Sequence, residues 1–321
     1  MTRLLALPVL AVMIAGCSLV TLDLTPRIRP LQEQTVEGSG RAKILLLDVS
    51  GFLSEVGASP GLVVGTAPPR VPLLVRLREE LKKAAEDPDV HALLVRINSP
   101  GGTVTAADII HQELDGWKRE TGRPVVAVML DVAASGGYYV ALAADTIVAH
   151  PTSVTGSIGV IMFSLNAEGL MQKVGLSASA IKSGERKDMG SPFRTLTDEE
   201  RKIFQGVIDD LYAQFIAKLV AGRRLPPETA RSVADGRIYS AQQALALKLV
   251  DRVGYMPDAI DAARRAAGVD EARVVVYHRP RDYRATYYAS AHAAAPGPDV
   301  PLLEFATLLG AGPRFLYLWW P

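Results

Sequence analysis

Three short glycine-containing segments stand where apolar runs end: Asn98-Ser99-Pro100-Gly101-Gly102, Ala133-Ala134-Ser135-Gly136-Gly137-Tyr138-Tyr139, and Ile181-Lys182-Ser183-Gly184-Glu185-Arg186-Lys187-Asp188. In an open α/β layout the loops after strand carboxyl ends are where ligands sit. Ser135 would open a helix, where unpaired N–H groups and the helix dipole favour a developing negative charge. The glycine pairs let backbone approach backbone and aim N–H groups outward, as an oxyanion hole requires. Each segment alone is also an ordinary turn, and a lone serine at this place reads more readily as a helix N-cap.

A serine nucleophile needs a base. The five histidines are His91, His111, His150, His278 and His292, and none sits in a glycine-flanked loop. Lysine is the alternative. Lowering its pKa from about 10.4 to about 8 by desolvation costs roughly 3 kcal/mol, which a folded domain can offset. Serine-lysine pairs are an accepted variant of triad chemistry.

The elements that must hold these segments alternate along the chain. Apolar β-rich runs at Ile44 to Val49, Val90 to Ile97 and Val125 to Leu130 are separated by helix-like stretches, Pro72 to Ala85 and Ala106 to Lys118. Runs apolar on both faces argue for parallel strands covered by helices, an α/β fold. Thr146 to Ala149, Gly159 to Phe163 and Ala178 to Ile181 read as further strands, with a last one near Val274. Thr197 to Leu219 reads as a long helix opening on an N-cap and three acids, and Pro227 to Ala234, Ala241 to Leu247 and Asp258 to Ala267 as shorter ones.

The chain has 321 residues, 49% apolar and 21% charged, with 35 basic against 34 acidic residues. That balance gives no reason to expect nucleic acid or another strongly charged partner. Its one cysteine, Cys17, forbids an intrachain disulfide and any Cys-based metal site. After Arg3 come thirteen uncharged residues, Leu4 to Gly16. As a helix they span roughly 20 Å, short of a hydrocarbon core of about 30 Å, so residues 1–16 read as an export signal. Ile14-Ala15-Gly16-Cys17 resembles the lipobox of bacterial lipoproteins, which implies acylation of Cys17 and a membrane anchor. A plain signal peptide with an incidental cysteine, or a short membrane anchor, is the alternative. Residues 17–42 lack periodicity and read as a tether, 43–277 as one domain, and 278–321 as a Pro/Ala-rich tail. That tail ends on Phe315-Leu316-Tyr317-Leu318-Trp319-Trp320, and from Tyr277 onward it holds 9 of the 20 aromatics. Such an end either packs on the domain or a neighbouring subunit, touches a membrane, or occludes a peptide groove.

Taken together, Asn98 to Gly102, Ala134 to Tyr139, Thr155 to Val160 and Lys182 to Asp188, in this order and spacing, resemble the signal peptide peptidase A (protease IV) family of serine proteases. The likeness continues through Gly236 to Ala244 and Leu249-Val250-Asp251, covering roughly residues 43 to 270 once, as in the short, single-repeat type. It implies a crotonase-like, ClpP-like spiral of parallel strands. It also implies Ser135 as nucleophile and Lys187, 52 residues later, as base, with Lys182 left to a salt bridge or solvent. Gly101 and the Gly136 N–H would form the oxyanion hole, with Gly102 as the fallback, and the Ser157 hydroxyl would orient the lysine. The implied activity is endoproteolysis of extended apolar peptides such as signal-peptide remnants, without cofactor or metal. The implied setting is a homo-oligomer exported to the bacterial cell envelope. Two other readings share the fold: a non-catalytic lipoprotein scaffold and a crotonase-type acyl-CoA enzyme.

Overall fold

The computed structural model describes residues 30–55, 71–280, 285–289 and 314–319. The order begins β1 (Gln32–Glu37), β2 (Lys43–Ser50), α1 (Leu73–Glu86), β3 (Val90–Ser99), β4 (Gly101–Thr103), α2 (Val104–Thr121), β5 (Val125–Ala134) and α3 (Gly136–Ala141). Next come β6 (Thr146–Ala149), β7 (Val154–Gly156), β8 (Ile161–Phe163), α4 (Glu168–Lys173), α5 (Asp198–Arg223) and α6 (Pro227–Ser232). The chain closes with β9 (Ile238–Ser240), α7 (Ala241–Ala246), β10 (Arg252–Val253), α8 (Met256–Ala267), β11 (Arg273–His278) and β12 (Arg314–Leu318).

The main sheet runs β1-β11-β2-β3-β5-β6-β10, with β7 joined to β5 and β9 to β7. Its centre, β11-β2-β3-β5-β6, is parallel, as the runs apolar on both faces require. Side chains alternate across β2. Leu45, Leu47 and Val49 join the cluster containing Leu77 and Leu81 of α1 and Ile110 and Leu114 of α2, while Ile44 and Leu46 join the α8 residues Met256, Ala259 and Ile260. Each such side chain, fully buried, contributes about 1.5–3 kcal/mol. The fold is therefore the α/β arrangement that the sequence leads one to expect.

Asp48 falls on the α8 face, where an apolar residue would ordinarily stand, and it is 4% exposed. Arg96 on β3, 2% exposed, neutralises it through an Nη2–Oδ1 contact of 2.8 Å. Ser50 Oγ donates to the same carboxylate at 2.6 Å. The guanidinium also donates to the carbonyls of Tyr287 and Ala289, which pins residues 285–289 to the sheet. Burial alone would raise the Asp48 pKa, but Arg96, Ser50 and Arg76 outweigh it and hold the carboxyl at about 2.

Two segments depart from the sequence expectation. Part of the stretch read as a tether forms β1, which pairs antiparallel with β11. Residues 178–181 form no strand; Ile181 is fully exposed, and no strand among the described residues pairs with its backbone. A second sheet, β4-β12-β8, places the C-terminal strand between two segments of the domain. No helix among the described residues is long and apolar enough to cross a membrane.

Candidate active site

Ser135 joins β5 to α3 through a backbone that serine rarely adopts, φ 51° and ψ −114°. Such a conformation costs of order 1–3 kcal/mol and persists only where the surroundings over-determine it. Here they do. β7 pairs with β5 right up to Ala134↔Gly156, Ser135 N donates to the Gly156 carbonyl at 2.8 Å, and Tyr139 N donates to the Ser135 carbonyl at 2.8 Å. Thr155 Oγ1 donates to the Ala133 carbonyl at 2.6 Å and ties the two strands once more. Although Ser135 occupies the N-cap position, its side chain makes no capping bond. Its hydroxyl is buried and has no hydrogen-bond partner among the described residues. A capping serine would show an extended backbone and an engaged oxygen. This one has a strained strand-to-helix turn of the kind that carries a nucleophilic serine, its Oγ free of any capping bond.

The glycines permit the approach of three backbones. A Cβ on Gly137 would lie 2.6 Å from the Ser99 carbonyl oxygen, so α3 packs on the end of β3 only without one. Gly136 is the first residue of α3, where an N–H finds no partner within the helix. Gly101 has φ +104°, and a Cβ there would fall 1.9 Å from the Tyr317 carbonyl oxygen and 2.8 Å from Gly136 N. Gly101 and Gly136 therefore lie against one another next to Ser135. The Gly101 N–H donates to Ser99 Oγ at 3.1 Å. Gly102 serves a different purpose, since its Cβ would overlap the Leu53 carbonyl oxygen at 2.0 Å.

The group against Gly101 belongs to the tail. β12 pairs antiparallel with β4, Tyr317 opposite Gly102, and with β8, Phe315 opposite Met162. Beyond it, Trp319 N donates to the Pro100 carbonyl at 2.8 Å. Tyr317 is 1% exposed. Its ring stacks on Tyr139 at 5.1 Å and packs against Phe215 at 4.7 Å, and its hydroxyl donates to the Leu211 carbonyl at 2.8 Å. Tyr139 is itself anchored, its hydroxyl donating to Asp108 Oδ1 at 2.7 Å. His111 lies edge-on to Tyr139, and burial, helped by the Lys218 amine, pushes its pKa down to about 4. That imidazole packs against the ring and makes no hydrogen bond to Ser135, whose hydroxyl has no partner among the described residues. Phe215, on α5, and Leu211 carried no motif; the only clue to them is the buried stripe of that helix, which includes Phe204, Phe215 and Leu219.

Neither Lys182 nor Lys187 is hydrogen-bonded to the serine among the described residues. Lys182 pairs with Asp188 at 2.6 Å, the salt bridge foreseen for it. Lys187 is exposed, and among the described residues no hydrogen bond joins it to Ser135 or Ser157. Ser157 is buried at φ 48°, its N–H donating to the Arg237 carbonyl at 2.7 Å. Cys17 lies outside the described residues. No group of three or more His, Cys, Asp or Glu side chains among the described residues could hold a metal.

A largely parallel α/β sheet with a strained, unpartnered serine at a strand-to-helix turn has the form of a serine-nucleophile hydrolase. Residues 118–270 match peptidase family S49. A putative protease of Synechocystis is 45% identical over 60% of this chain and 69% of its own length. A putative signal peptide peptidase of Enterococcus faecium is 35% identical over 77% of this chain and 70% of its own. Among solved structures, a ClpP1 mutant from Listeria monocytogenes superposes with a TM-score of 0.42 at 15% identity, over 67% of this chain and 94% of that one. The chain belongs to peptidase family S49, the signal peptide peptidase A type, and is a serine protease.

Proposed function

We propose that the chain is a membrane-associated endopeptidase in which Ser135 is the nucleophile and Lys187 the general base, acting on extended apolar peptides such as signal-peptide remnants. The observation that carries the reading is the Ser135 hydroxyl: buried, unpartnered among the described residues and held in a strained turn beside the first N–H of α3. Neutral Lys187 takes the serine proton and the alkoxide adds to the peptide carbonyl. The Gly136 N–H, with that of Gly101, holds the oxyanion. The proton passes to the leaving amine, and water hydrolyses the acyl-enzyme. Ser157 orients the amine. Bringing Lys187 to Ser135 requires its exposed segment to close on the site or a second copy to present it, and the latter agrees with a homo-oligomer. Acylated Cys17 would hold the enzyme on a membrane of the cell envelope.

The test is hydrolysis of apolar peptides by three variants. Ser135→Ala and Lys187→Ala should each lose at least ~10³-fold in kcat, within the range seen when members of such catalytic units are removed. Lys182→Ala should stay within threefold. Turnover that survives Ser135→Ala refutes the reading in favour of a different chemistry, and a wild type without turnover refutes it in favour of a scaffold.

A further inference from the structure

The strand that delivers Ser135 does not run straight to it. β3 and β5 pair in parallel from Leu93↔Val125 to Ile97↔Met129, but the next pair is Ser99↔Ala133, so three residues of β5, Leu130 to Val132, stand opposite Asn98 alone. Bulges recur beside active sites, where they re-aim a side chain. On its other edge β5 leaves β6 after Met129↔Ala149 and takes up β7 at Val132↔Val154. Had the register continued, Ser99 would face Asp131, and Ser135 would stand two residues, about 6.6 Å, further along β3 than it does. The slip brings the serine turn back level with the Gly101 loop, where a Cβ on Gly136 would lie 3.1 Å from Gly101 Cα.

Two side chains hold that slip. The extra residues interrupt the ladder, and main-chain groups left without a partner inside the fold are costly. Asn98 Oδ1 accepts from Val132 N at 3.1 Å, so a side chain of β3 replaces the carbonyl that the ladder would have offered. Ser153, 1% exposed, directs its one hydroxyl proton between the Met129 carbonyl, at 3.1 Å, and the Leu130 carbonyl. Both side chains are themselves fixed. Ser153 N donates to the His150 carbonyl at 2.8 Å, His150 N donates to the Met129 carbonyl at 3.0 Å, and Gly51 N donates to the Asn98 carbonyl at 2.9 Å. Neither side chain is hydrogen-bonded to Ser135, so any effect on the reaction passes through the backbone between them. We propose that Asn98 and Ser153 are positioning residues for the nucleophile, which together fix the bulge in β5 that sets Ser135 beside Gly101 and Gly136. The inference rests on Ser135 being the nucleophile and adds the side chains that place it.

The experiment uses the full chain, an apolar fluorogenic peptide and a fluorophosphonate, which labels a reactive serine as its Oγ bonds to phosphorus and fluoride leaves. All rates are taken per folded molecule, with the folded fraction from urea unfolding. Asn98→Leu and Asn98→Asp are close in size, and only the second keeps an oxygen for Val132 N. Asn98→Leu should lower kcat and the labelling rate together by roughly 10- to 100-fold, the order expected when a reacting atom moves about 1 Å, with KM little changed. Asn98→Asp should recover most of both. Ser153→Ala should lose roughly tenfold in the same two rates, and the double variant Asn98→Leu/Ser153→Ala should lose less than the product of the two, since both act on one bulge. If Asn98→Leu fails to fold, Ser153→Ala carries the test. A folded Asn98→Leu or Ser153→Ala within threefold of wild type in kcat and labelling overturns the proposal, as do equal losses in Asn98→Leu and Asn98→Asp. Labelling of wild type that persists in Ser135→Ala overturns instead the nucleophile reading on which the proposal rests.

Discussion

Gly101→Ala separates the cost of a strained backbone from the cost of a blocked site. The added methyl would fall 1.9 Å from the Tyr317 carbonyl oxygen and 2.8 Å from Gly136 N. Both are backbone atoms, so no flexible side chain can yield. A residue with a Cβ at φ +104° also carries strain of about 1–3 kcal/mol. Beyond that, the methyl would occupy the space in which a substrate carbonyl must sit to meet the Gly136 N–H. Losing one such donor costs about 3–4 kcal/mol of transition-state stabilisation, or roughly 10²- to 10³-fold in kcat. Gly122→Ala is the control: Gly122 caps α2 at φ +68°, and a methyl added there would meet nothing within 4 Å. It should lose about 1 kcal/mol of stability and no activity. The assay is peptide hydrolysis normalised to folded protein, with stability taken from urea unfolding of each variant. A Gly101→Ala enzyme within threefold of wild type per folded molecule would refute the placement of the reacting carbonyl between Gly101 and Gly136.

Two stability effects can be read from the same scaffold. The Asp48 carboxyl titrates at about 2 in the fold against an ordinary 3.8. Its folded pKa is depressed, so the stabilisation of about 2–3 kcal/mol is full above roughly pH 5 and disappears as pH falls toward 2. Urea midpoints of wild type should drop over that window, while Asp48→Asn should start lower and fall less steeply. Thr197→Ala should cost about 1 kcal/mol by the same measurement. It removes the hydroxyl that accepts from Glu200 N at 3.2 Å, one half of the box opening α5.

The central strands and the long helix were legible because their signals are long. β2, β3 and β5 are runs of eight to ten residues, and α5 announces itself with Thr197-Asp198-Glu199-Glu200. Three of the short strands were not, although Thr146 to Ala149 and Gly159 to Phe163 do read as strands. β4, β7 and β9 hold three residues each, too few for any periodicity, and they exist only because neighbouring strands offer them hydrogen bonds. β1 is polar and largely exposed, so no apolar alternation marks it as the edge strand it becomes. Ala178 to Ile181 shows the opposite failure, a sequence with strand character but no partner edge among the described residues. Within the site, the Ser135 and glycine segments, each an ordinary turn by itself, became legible only through their order and spacing together. The aromatic cluster was not legible. Tyr139, Phe215 and Tyr317 lie on three elements far apart in sequence, and only tertiary packing brings them together.

The place of β12 also settles what the domain does with its exposed edges. β4 and β8 are short strands whose outward N–H and C=O groups would face one another across an empty trench, and such open edges invite pairing with any extended chain, including unfolded copies of the same protein. Closing the trench with a strand from the same polypeptide pairs both edges and leaves neither open to such a chain.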